Sequence, residues 1–107
     1  MRARLHTLGV VARVWRGDGP LKELPLAPRM LLVELHLLGV DDGTWPLVPA
    51  DTKTLAARLG MNPRPIDTLL KPLMATGFVV ELPNDLTHLQ LRALDALIRW
   101  RPLDELT

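Results

Sequence analysis

The sequence contains no cysteine, no serine and no tyrosine among its 107 residues. Disulfides, thiolate metal sites and nucleophiles of the serine or cysteine type are therefore excluded, and much common enzyme chemistry with them. Aromatic residues are few, at 4%, but 48% of the residues are hydrophobic, which argues against disorder. A chain of this length supports one compact domain with a modest core, so we predict a single domain over residues 1–107.

Long apolar runs are also missing. No window approaches about 18 uninterrupted apolar residues, so the sequence predicts no transmembrane helix. The apolar stretch near the N-terminus is interrupted by Arg13 and followed by no small-residue cleavage site, which makes it a poor signal peptide. We therefore expect a cytoplasmic protein with no membrane partner.

The sequence also lacks a pattern typical of metal or phosphate binding. His6, His36 and His88 are widely separated along the chain, and no cysteine assists them. The turn at residues 41–43 has two aspartates, but no further acidic ligands follow it at short spacing. The seven glycines are dispersed rather than gathered into a phosphate-binding loop. We predict neither a metal site nor a cofactor.

The net charge is only +1, but it varies along the chain. Residues 1–29 carry +4, residues 30–50 carry −3, residues 51–80 carry +2 and residues 81–107 carry −2. A strongly basic nucleic-acid-binding protein would show a larger excess of lysine and arginine. The total charge therefore neither establishes nor forbids DNA as a partner.

The first half of the chain predicts a strand and a central helix. The segment of residues 5–15 is short, apolar and rich in valine, and a turn at residues 17–20 follows it. We therefore predict a strand over residues 5–15. Residues 21–26 resemble a linker or a single helical turn. A helix should begin at Pro28, continue through residues 29–38 and stop at Gly39 and the turn after it. Its apolar surface extends almost all the way round, which predicts a central, buried helix.

The second half predicts two more helices and a hairpin. Residues 44–48 read as a brief edge strand, because Pro46 suits only an edge or a bulge. Asp51 or Thr52 should cap a helix over residues 53–59 that ends at Gly60. Another helix should begin near Pro63 and continue to Gly77. Residues 78–82 and 87–91 read as a hairpin, and residues 92–101 as a C-terminal helix.

The spacing within residues 54–70 carries the strongest signal. Two helices that cross steeply over a short turn need a small residue at the crossing, and Ala56 is there. Gly60, four residues later, tolerates the positive φ that the turn requires. Ile66 and Leu69 follow at positions where the second helix would pack on the first. Leu70, Leu73 and Met74 extend the inner face, and Leu55 and Leu59 complete the small core.

These residues resemble the winged helix-turn-helix superfamily over about residues 28–92. Within it, the layout is similar to the N-terminal DNA-binding domains of phage and plasmid replication-initiation proteins and their DnaD-like relatives. In those proteins a leucine helix like RMLLVELHLLGVDDGTW precedes a unit like TLAARLGMNPRPIDTLLKPLMATGFV. The resemblance implies an α+β winged helix-turn-helix, with a three-helix core and a β-hairpin wing. The N-terminal strand or arm, residues 1–20, and the C-terminal extension, residues 93–107, would be additions to it.

The resemblance also implies a double-stranded DNA-binding domain that is not an enzyme. In the superfamily the second helix of the motif lies in the major groove, and the preceding helix meets phosphates. The corresponding groove-facing residues are Asn62, Arg64, Asp67, Thr68 and Lys71. The corresponding phosphate-facing residues are Thr52, Lys53, Thr54 and Arg58. The cellular role would be replication initiation or transcription regulation.

Other basic and aromatic residues leave alternatives open. Arg2, Arg4, Arg13 and Arg16 would form either a DNA-binding arm or edge strand, or a solubilising tail. Trp15, Trp45 and Trp100 are expected in the core or at an interface. The C-terminal apolar residues either pack on the N-terminal strand or form a two-fold interface, which would make the protein a homodimer.

Several residues favour a different hypothesis, a protein-interaction module. Pro72 removes a hydrogen bond from the second motif helix, so we expect that helix to kink or end near Leu70. Asp67 would point into a negatively charged groove, and the wing presents Glu81 and Asp85 instead of basic residues. Under this alternative the winged helix docks a partner from the replication or transcription machinery, or another copy of itself.

Overall fold

The computed structural model describes Val14, Arg16 and residues 19–92 of the chain. Residues 19–92 contain a 3-10 helix, three α-helices and a small three-stranded antiparallel sheet. In chain order the elements are the 3-10 helix Gly19–Glu23, α1 Leu26–Asp42, β1 Leu47–Pro49, α2 Thr52–Leu59, α3 Pro63–Ala75, β2 Val79–Leu82 and β3 Asp85–Leu91. The predicted α+β class is confirmed, and the layout is compatible with a winged helix.

Helix α1 extends further at both ends than its sequence predicts. It begins at Leu26, so Pro28 lies in the first turn instead of opening the helix. The prediction that Gly39 stops the helix is wrong, because the helix continues to Asp42 and Gly43 adopts the left-handed C-cap conformation. Gly39 has a packing role instead. A Cβ atom at this position would lie only 3.2 Å from the Cα of Trp45, so the absent side chain makes room for the chain after the helix.

One face of α1 forms the middle of the core, and the opposite face does not. Leu32 and Leu35 are fully buried, as the prediction of a central helix requires. On the other side, 53% of Leu26, 46% of Met30 and 40% of Leu37 remain exposed. The near-continuous apolar surface of the sequence therefore corresponds to two separate faces, of which only one is covered by the described residues.

Helix α3 begins where the sequence predicts, and α2 begins one residue before the predicted start, at Thr52. The Asp51 side chain caps α2 by accepting a hydrogen bond of 3.1 Å from the backbone N–H of Thr54. Gly60 ends α2 with a φ of 66°. Helix α3 opens at Pro63 and buries Ile66, Leu70 and Leu73, and these three were predicted on its inner side. The predicted early end near Leu70 is wrong.

Helix α3 continues through Pro72 to Ala75 because packing on both sides of the proline stabilises the last turn. Pro72 offers no N–H to the carbonyl of Thr68, which costs one backbone hydrogen bond. The residues before and after it, Leu70 and Leu73, are nevertheless buried in the core. The Thr76 hydroxyl then donates to the Pro72 carbonyl at 2.8 Å. Burial of apolar side chains thus outweighs the local preference against helix.

The sheet has the strand order β1-β3-β2, with both pairs antiparallel. The predicted hairpin is confirmed as β2 and β3, which are joined over Pro83 and Asn84. Strand β1 lies at an edge, as predicted from Pro46, and the Pro46 carbonyl accepts from the Leu91 N–H at 2.8 Å. The sheet therefore joins the segment between α1 and α2 to the end of the hairpin.

Predictions for the two ends of the chain are only partly within the described residues. Val14 and Arg16 have helical backbone, so the predicted strand over residues 5–15 is wrong at Val14. Several other predictions lie outside the described residues. They are the rest of that strand, the arm residues Arg2, Arg4 and Arg13, the tryptophans Trp15 and Trp100, and the predicted C-terminal helix from residue 93 onward. Among the described residues, no helix is long and apolar enough to cross a membrane.

Candidate nucleic-acid interface

The candidate interface consists of α2, α3 and the short turn between them. Leu55 on α2 and Ile66 on α3 are fully buried, and Ala56 is almost so. The N–H of Met61, in the turn, donates to the Ala56 carbonyl at 2.9 Å, which fixes the direction in which the chain enters α3. The crossing therefore has the small residue, the left-handed glycine and the aliphatic anchor at the predicted positions.

The first turns of α3 present the predicted groove-facing residues to solvent. Asn62, Arg64, Thr68 and Lys71 are all exposed. Asn62 occupies the N-cap position, but its side chain makes no capping hydrogen bond. Within the described residues, no hydrogen bond or ion pair holds the side chains of Asn62, Arg64 or Lys71. Their donors are therefore available to a ligand.

The prolines in the first turn of α3 limit what its backbone can bind. The first four backbone N–H groups of a helix have no partner within the helix and commonly bind anions. Two of these four positions in α3 are Pro63 and Pro65, which have no N–H. Only Asn62, at the N-cap, and Arg64 retain a free backbone donor there. Anion recognition at this end therefore depends on side chains, chiefly those of Asn62 and Arg64.

Arg58, predicted to face phosphate, binds another part of the protein. Its guanidinium donates to both carboxylate oxygens of Asp42, at the end of α1, with the Nη1 to Oδ2 distance at 3.0 Å. The hydrogen bond from Arg58 lowers the pKa of Asp42, and the same contact raises the pKa of Arg58. The pair ties α2 to α1 and neutralises much of the charge that Arg58 would offer to DNA.

Of the other phosphate-facing candidates, the two threonines are hydrogen-bonded within the protein and Lys53 is not. The Thr52 hydroxyl donates to Asp67 Oδ1 at 3.2 Å, which links the start of α2 to α3. Thr54 donates its N–H and its hydroxyl to Asp51, and the hydroxyl bond contributes most to lowering the pKa of Asp51. Lys53 is exposed, with no hydrogen bond or ion pair to any described residue. Of this group, only Lys53 has an uncommitted cation.

The hairpin is acidic, and much of its polar chemistry is internal. Asp85 accepts from the Thr87 N–H at 2.9 Å and from the Thr87 hydroxyl, which is the main cause of its lowered pKa. The Nδ1 atom of His88 lies 3.2 Å from the other carboxylate oxygen of Asp85. Glu81 is exposed on β2. The hairpin therefore offers carboxylates, not cations, to the surroundings of α3.

A groove of about 320 Å³ separates α3 from the hairpin. Its charged lining residues are Asp67 and Lys71 from α3, and Glu81, Asp85 and His88 from the hairpin. Three carboxylates against one lysine give the groove a negative balance at neutral pH. The sequence indicated each carboxylate separately, but the groove forms only when the hairpin packs beside α3, which no local pattern predicts.

Two other predicted features have structural roles. His36, in α1, is buried, and its Nδ1 accepts from the Trp45 indole N–H at 2.9 Å. Trp45 is half-buried and packs against the core, as expected for one of the tryptophans. The contacts that join separate elements, Arg58 to Asp42 and Thr52 to Asp67, carry no sequence signal because they span 16 and 15 residues.

Comparison of this chain with known proteins found no matching protein-family model, no matching curated protein and no matching solved structure.

Proposed function

We propose that the chain is a winged helix-turn-helix domain that binds double-stranded DNA without catalysing a reaction. Its cellular role would be replication initiation or transcription regulation, as in the phage and plasmid initiator proteins with their DnaD-like relatives that the sequence resembles. The observation that carries the proposal is the exposure of Asn62 and Arg64, uncommitted, on the first turn of a helix whose inner face is anchored by buried Ile66.

In the proposed complex α3 enters the major groove with its N-terminal end foremost. The groove is wide enough for one helix, and an arginine fork matches the two acceptors on the guanine edge. Arg64 would read guanine, and Asn62 would bind adenine or a phosphate. Thr68 and Lys71, one and two turns further along, would contact the groove wall.

Phosphate contacts would come mainly from lysines. Lys53 is exposed beside the N-terminus of α2, and Lys71 is exposed on α3. Arg58 would contribute less than its position implies, because its guanidinium is bound to Asp42. Thr52 would serve mainly to hold Asp67. With about three cations available, we expect modest affinity and a moderate salt dependence.

The test is a fluorescence-anisotropy titration of the protein with a labelled duplex at several salt concentrations. Each phosphate contact contributes about −0.9 to the slope of log K against log salt, so the two lysines, Lys53 and Lys71, predict a slope of about −2. A slope near zero, or no binding by micromolar protein at low salt, would overturn the proposal.

The acidic groove favours a second candidate function, a protein-interaction module. Asp67, Glu81 and Asp85 would repel a phosphate backbone that approached the hairpin, but they suit a basic segment of a protein partner. A replication or transcription partner would then dock between α3 and the hairpin. A pull-down that is insensitive to nuclease and is lost in Glu81→Lys, but not in Arg64→Ala, would favour this candidate over DNA binding.

A further inference from the structure

The uncovered face of α1 has a regular apolar stripe. Leu26, Met30, Val33, Leu37 and Val40 follow one another at intervals of four, three, four and three residues. This is the spacing of the contact positions in a coiled coil, where apolar residues repeat every 3.5 residues on average. Leu26, Met30 and Leu37 are exposed, while Val33 and Val40 are half-buried. We call these five residues the outer stripe.

The outer stripe lies opposite the face that α1 gives to the core. At 100° per residue, the five side chains fall within about 80° of one another, and their centre is about 160° from the centre of the buried face. The buried residues on the core side are Pro28, Leu31, Leu32, Leu35, His36, Leu38 and Gly39. Val33 also packs against the core. The core does not account for the exposed side chains of Leu26, Met30 and Leu37, which need another explanation.

An apolar groove adjoins the outer stripe at Met30. It has a volume of about 350 Å³ and is lined by Ala27, Met30, Leu31, Glu34, Leu59 and Met61. Leu59 ends α2 and Met61 lies in the turn before α3, so the groove extends the apolar surface beyond α1 itself. Glu34 is its one charged lining residue. An occupant would need apolar side chains and a cation positioned near Glu34.

The charges beside the stripe identify an occupant that meets both needs. Arg29 and Glu34 lie on opposite flanks of the stripe, five residues apart. In a parallel pair of helices, the residue on one flank faces the residue five positions later on the opposite flank of the other helix. Arg29 of each copy would therefore face Glu34 of the other. An antiparallel pair would instead bring like charges together, Glu34 against Glu34.

The state of Arg29 is consistent with this pairing. The side chain is half-buried, and its Nε atom is buried without an acceptor. Its two terminal nitrogens are not buried and make no hydrogen bond to a described residue, so they are the atoms that a second helix could reach. A carboxylate from a second helix would add a charge-assisted contact to this guanidinium. The requirements for an occupant, an apolar stripe of the same spacing and a carboxylate opposite Arg29, are both met by α1 itself.

We propose that a second copy of this chain docks on the outer stripe, with the two α1 helices parallel and related by a two-fold axis. The apolar contact consists of the outer stripe of each copy, and the groove at Met30 widens it. The two Arg29 to Glu34 contacts select the parallel arrangement over the antiparallel one. This interface is separate from α3, so the proposal stands or fails independently of DNA binding.

Sedimentation velocity on the full chain without DNA tests the proposal. We expect a concentration-dependent species of twice the 12.0 kDa monomer mass. Leu37→Glu should raise the dimer dissociation constant by about tenfold or more, because the buried stripe would then contain an uncompensated charge. Its circular dichroism should match that of the wild type. Leu86→Glu is the matched control: Leu86 is 84% exposed on the hairpin, and this variant should remain a dimer.

A charge exchange tests the parallel arrangement without placing a charge in the stripe. Arg29→Glu and Glu34→Arg should each weaken the dimer several-fold, because each creates two like-charge contacts. The double variant should recover most of the lost affinity, since it restores opposite charges in exchanged positions. Recovery in the double variant is specific to facing residues, and a purely structural role of Arg29 would not produce it.

Three outcomes would overturn the proposal. One is a wild-type protein that stays monomeric at all concentrations. Another is a monomer that Leu37→Glu unfolds, which would mean that another part of the same chain covers the stripe. The third is a double charge variant no tighter than the weaker single variant, which would exclude the parallel arrangement.

Discussion

The surface of α3 and the adjacent hairpin differ in the sign of their exposed charges and in the contacts that those charges make within the protein. On α3, Arg64 and Lys71 are exposed and bound to no described residue. On the hairpin, Asp85 is held by Thr87 and His88. Within the described part of the chain, the uncommitted cations near the motif are therefore on the helices, and carboxylates occupy the hairpin.

This difference shows that residue type alone does not identify a binding surface. Arg58 and Arg64 are six residues apart in the same motif, and both are candidates by sequence. Arg58 is bound to Asp42, whereas the Arg64 side chain makes no hydrogen bond to described residues. A cation already paired within the protein gains less from a phosphate, because that pair must be broken first. We therefore assign more of the DNA contact to Arg64 than to Arg58.

The largest effect is expected from Arg64→Ala. Loss of an arginine that reads a guanine edge costs about 1–3 kcal/mol in binding and relaxes specificity at that base. DNA affinity should therefore fall by about one order of magnitude, measured by anisotropy at fixed salt. The matched control is Arg92→Ala, an exposed arginine after β3, which should bind almost as tightly as the wild type. Equal losses in both variants would show that only total charge matters.

Lysine substitutions should produce a smaller effect that is uniform across DNA sequences. Lys53→Ala and Lys71→Ala should each weaken binding a few-fold and lower the magnitude of the salt slope by about 0.9, because each removes one phosphate contact. Lys22→Ala, at an exposed lysine in the 3-10 helix, serves as the control. If Lys22→Ala lowers the slope as much as the other two, the contact surface is not centred on α2 and α3.

Neutralising the hairpin should have a smaller effect of opposite sign. Glu81 is exposed beside the groove next to α3, so Glu81→Gln should raise DNA affinity by about two-fold at low salt, and screening should remove the gain near 1 M salt. Glu23→Gln, an exposed site on the 3-10 helix, provides the control. A loss of DNA affinity in Glu81→Gln would mean that the Glu81 carboxylate contacts DNA favourably, which would contradict the predicted repulsion.

The smallest effect concerns stability at low pH. The hydrogen bond from Arg58 lowers the pKa of Asp42 in the folded state, so the stabilisation is present above the ordinary aspartate pKa of about 3.9 and is lost as the pH falls through the lowered value. Thermal melting from neutral pH to about pH 3 should therefore show a shallower loss of Tm in Asp42→Asn than in the wild type.

Asp41→Asn provides the comparison for the pH experiment, since Asp41 is exposed and makes no hydrogen bond to Arg58. Its melting temperature should follow that of the wild type more closely over the same pH range. An identical pH profile for Asp42→Asn and the wild type would show that the pair does not contribute to holding α1 against α2.

The sequence predicts the local parts of the motif well. The cap at Asp51, the left-handed turn at Gly60 and the buried anchor at Ile66 all depend on interactions within a few residues along the chain. Their physical requirements, a side-chain acceptor, a positive φ and an apolar position, are met by few residue types. The α+β class and the candidate helices could therefore be predicted before any contact was known.

The remaining features depend on which elements meet in space. The sequence predicts that Gly39 stops the helix, yet Gly39 is a point of close approach to Trp45 within a continuing helix. Pro72 predicts a break, but the burial of Leu70 and Leu73 stabilises the helix through it. The pairing of Arg58 with Asp42 removes one predicted contact residue. In each case a tertiary contact outweighs the local preference.

The most direct test of the central claim is an amide NMR titration of the isotope-labelled protein with duplex DNA. We expect shift changes concentrated at Lys53, Asn62, Arg64, Thr68 and Lys71, with smaller changes at Glu81 and Asp85. Pro63, Pro65 and Pro72 give no amide signal. Changes concentrated in the hairpin, or no changes at a saturating DNA concentration, would contradict the assignment of DNA recognition to α3.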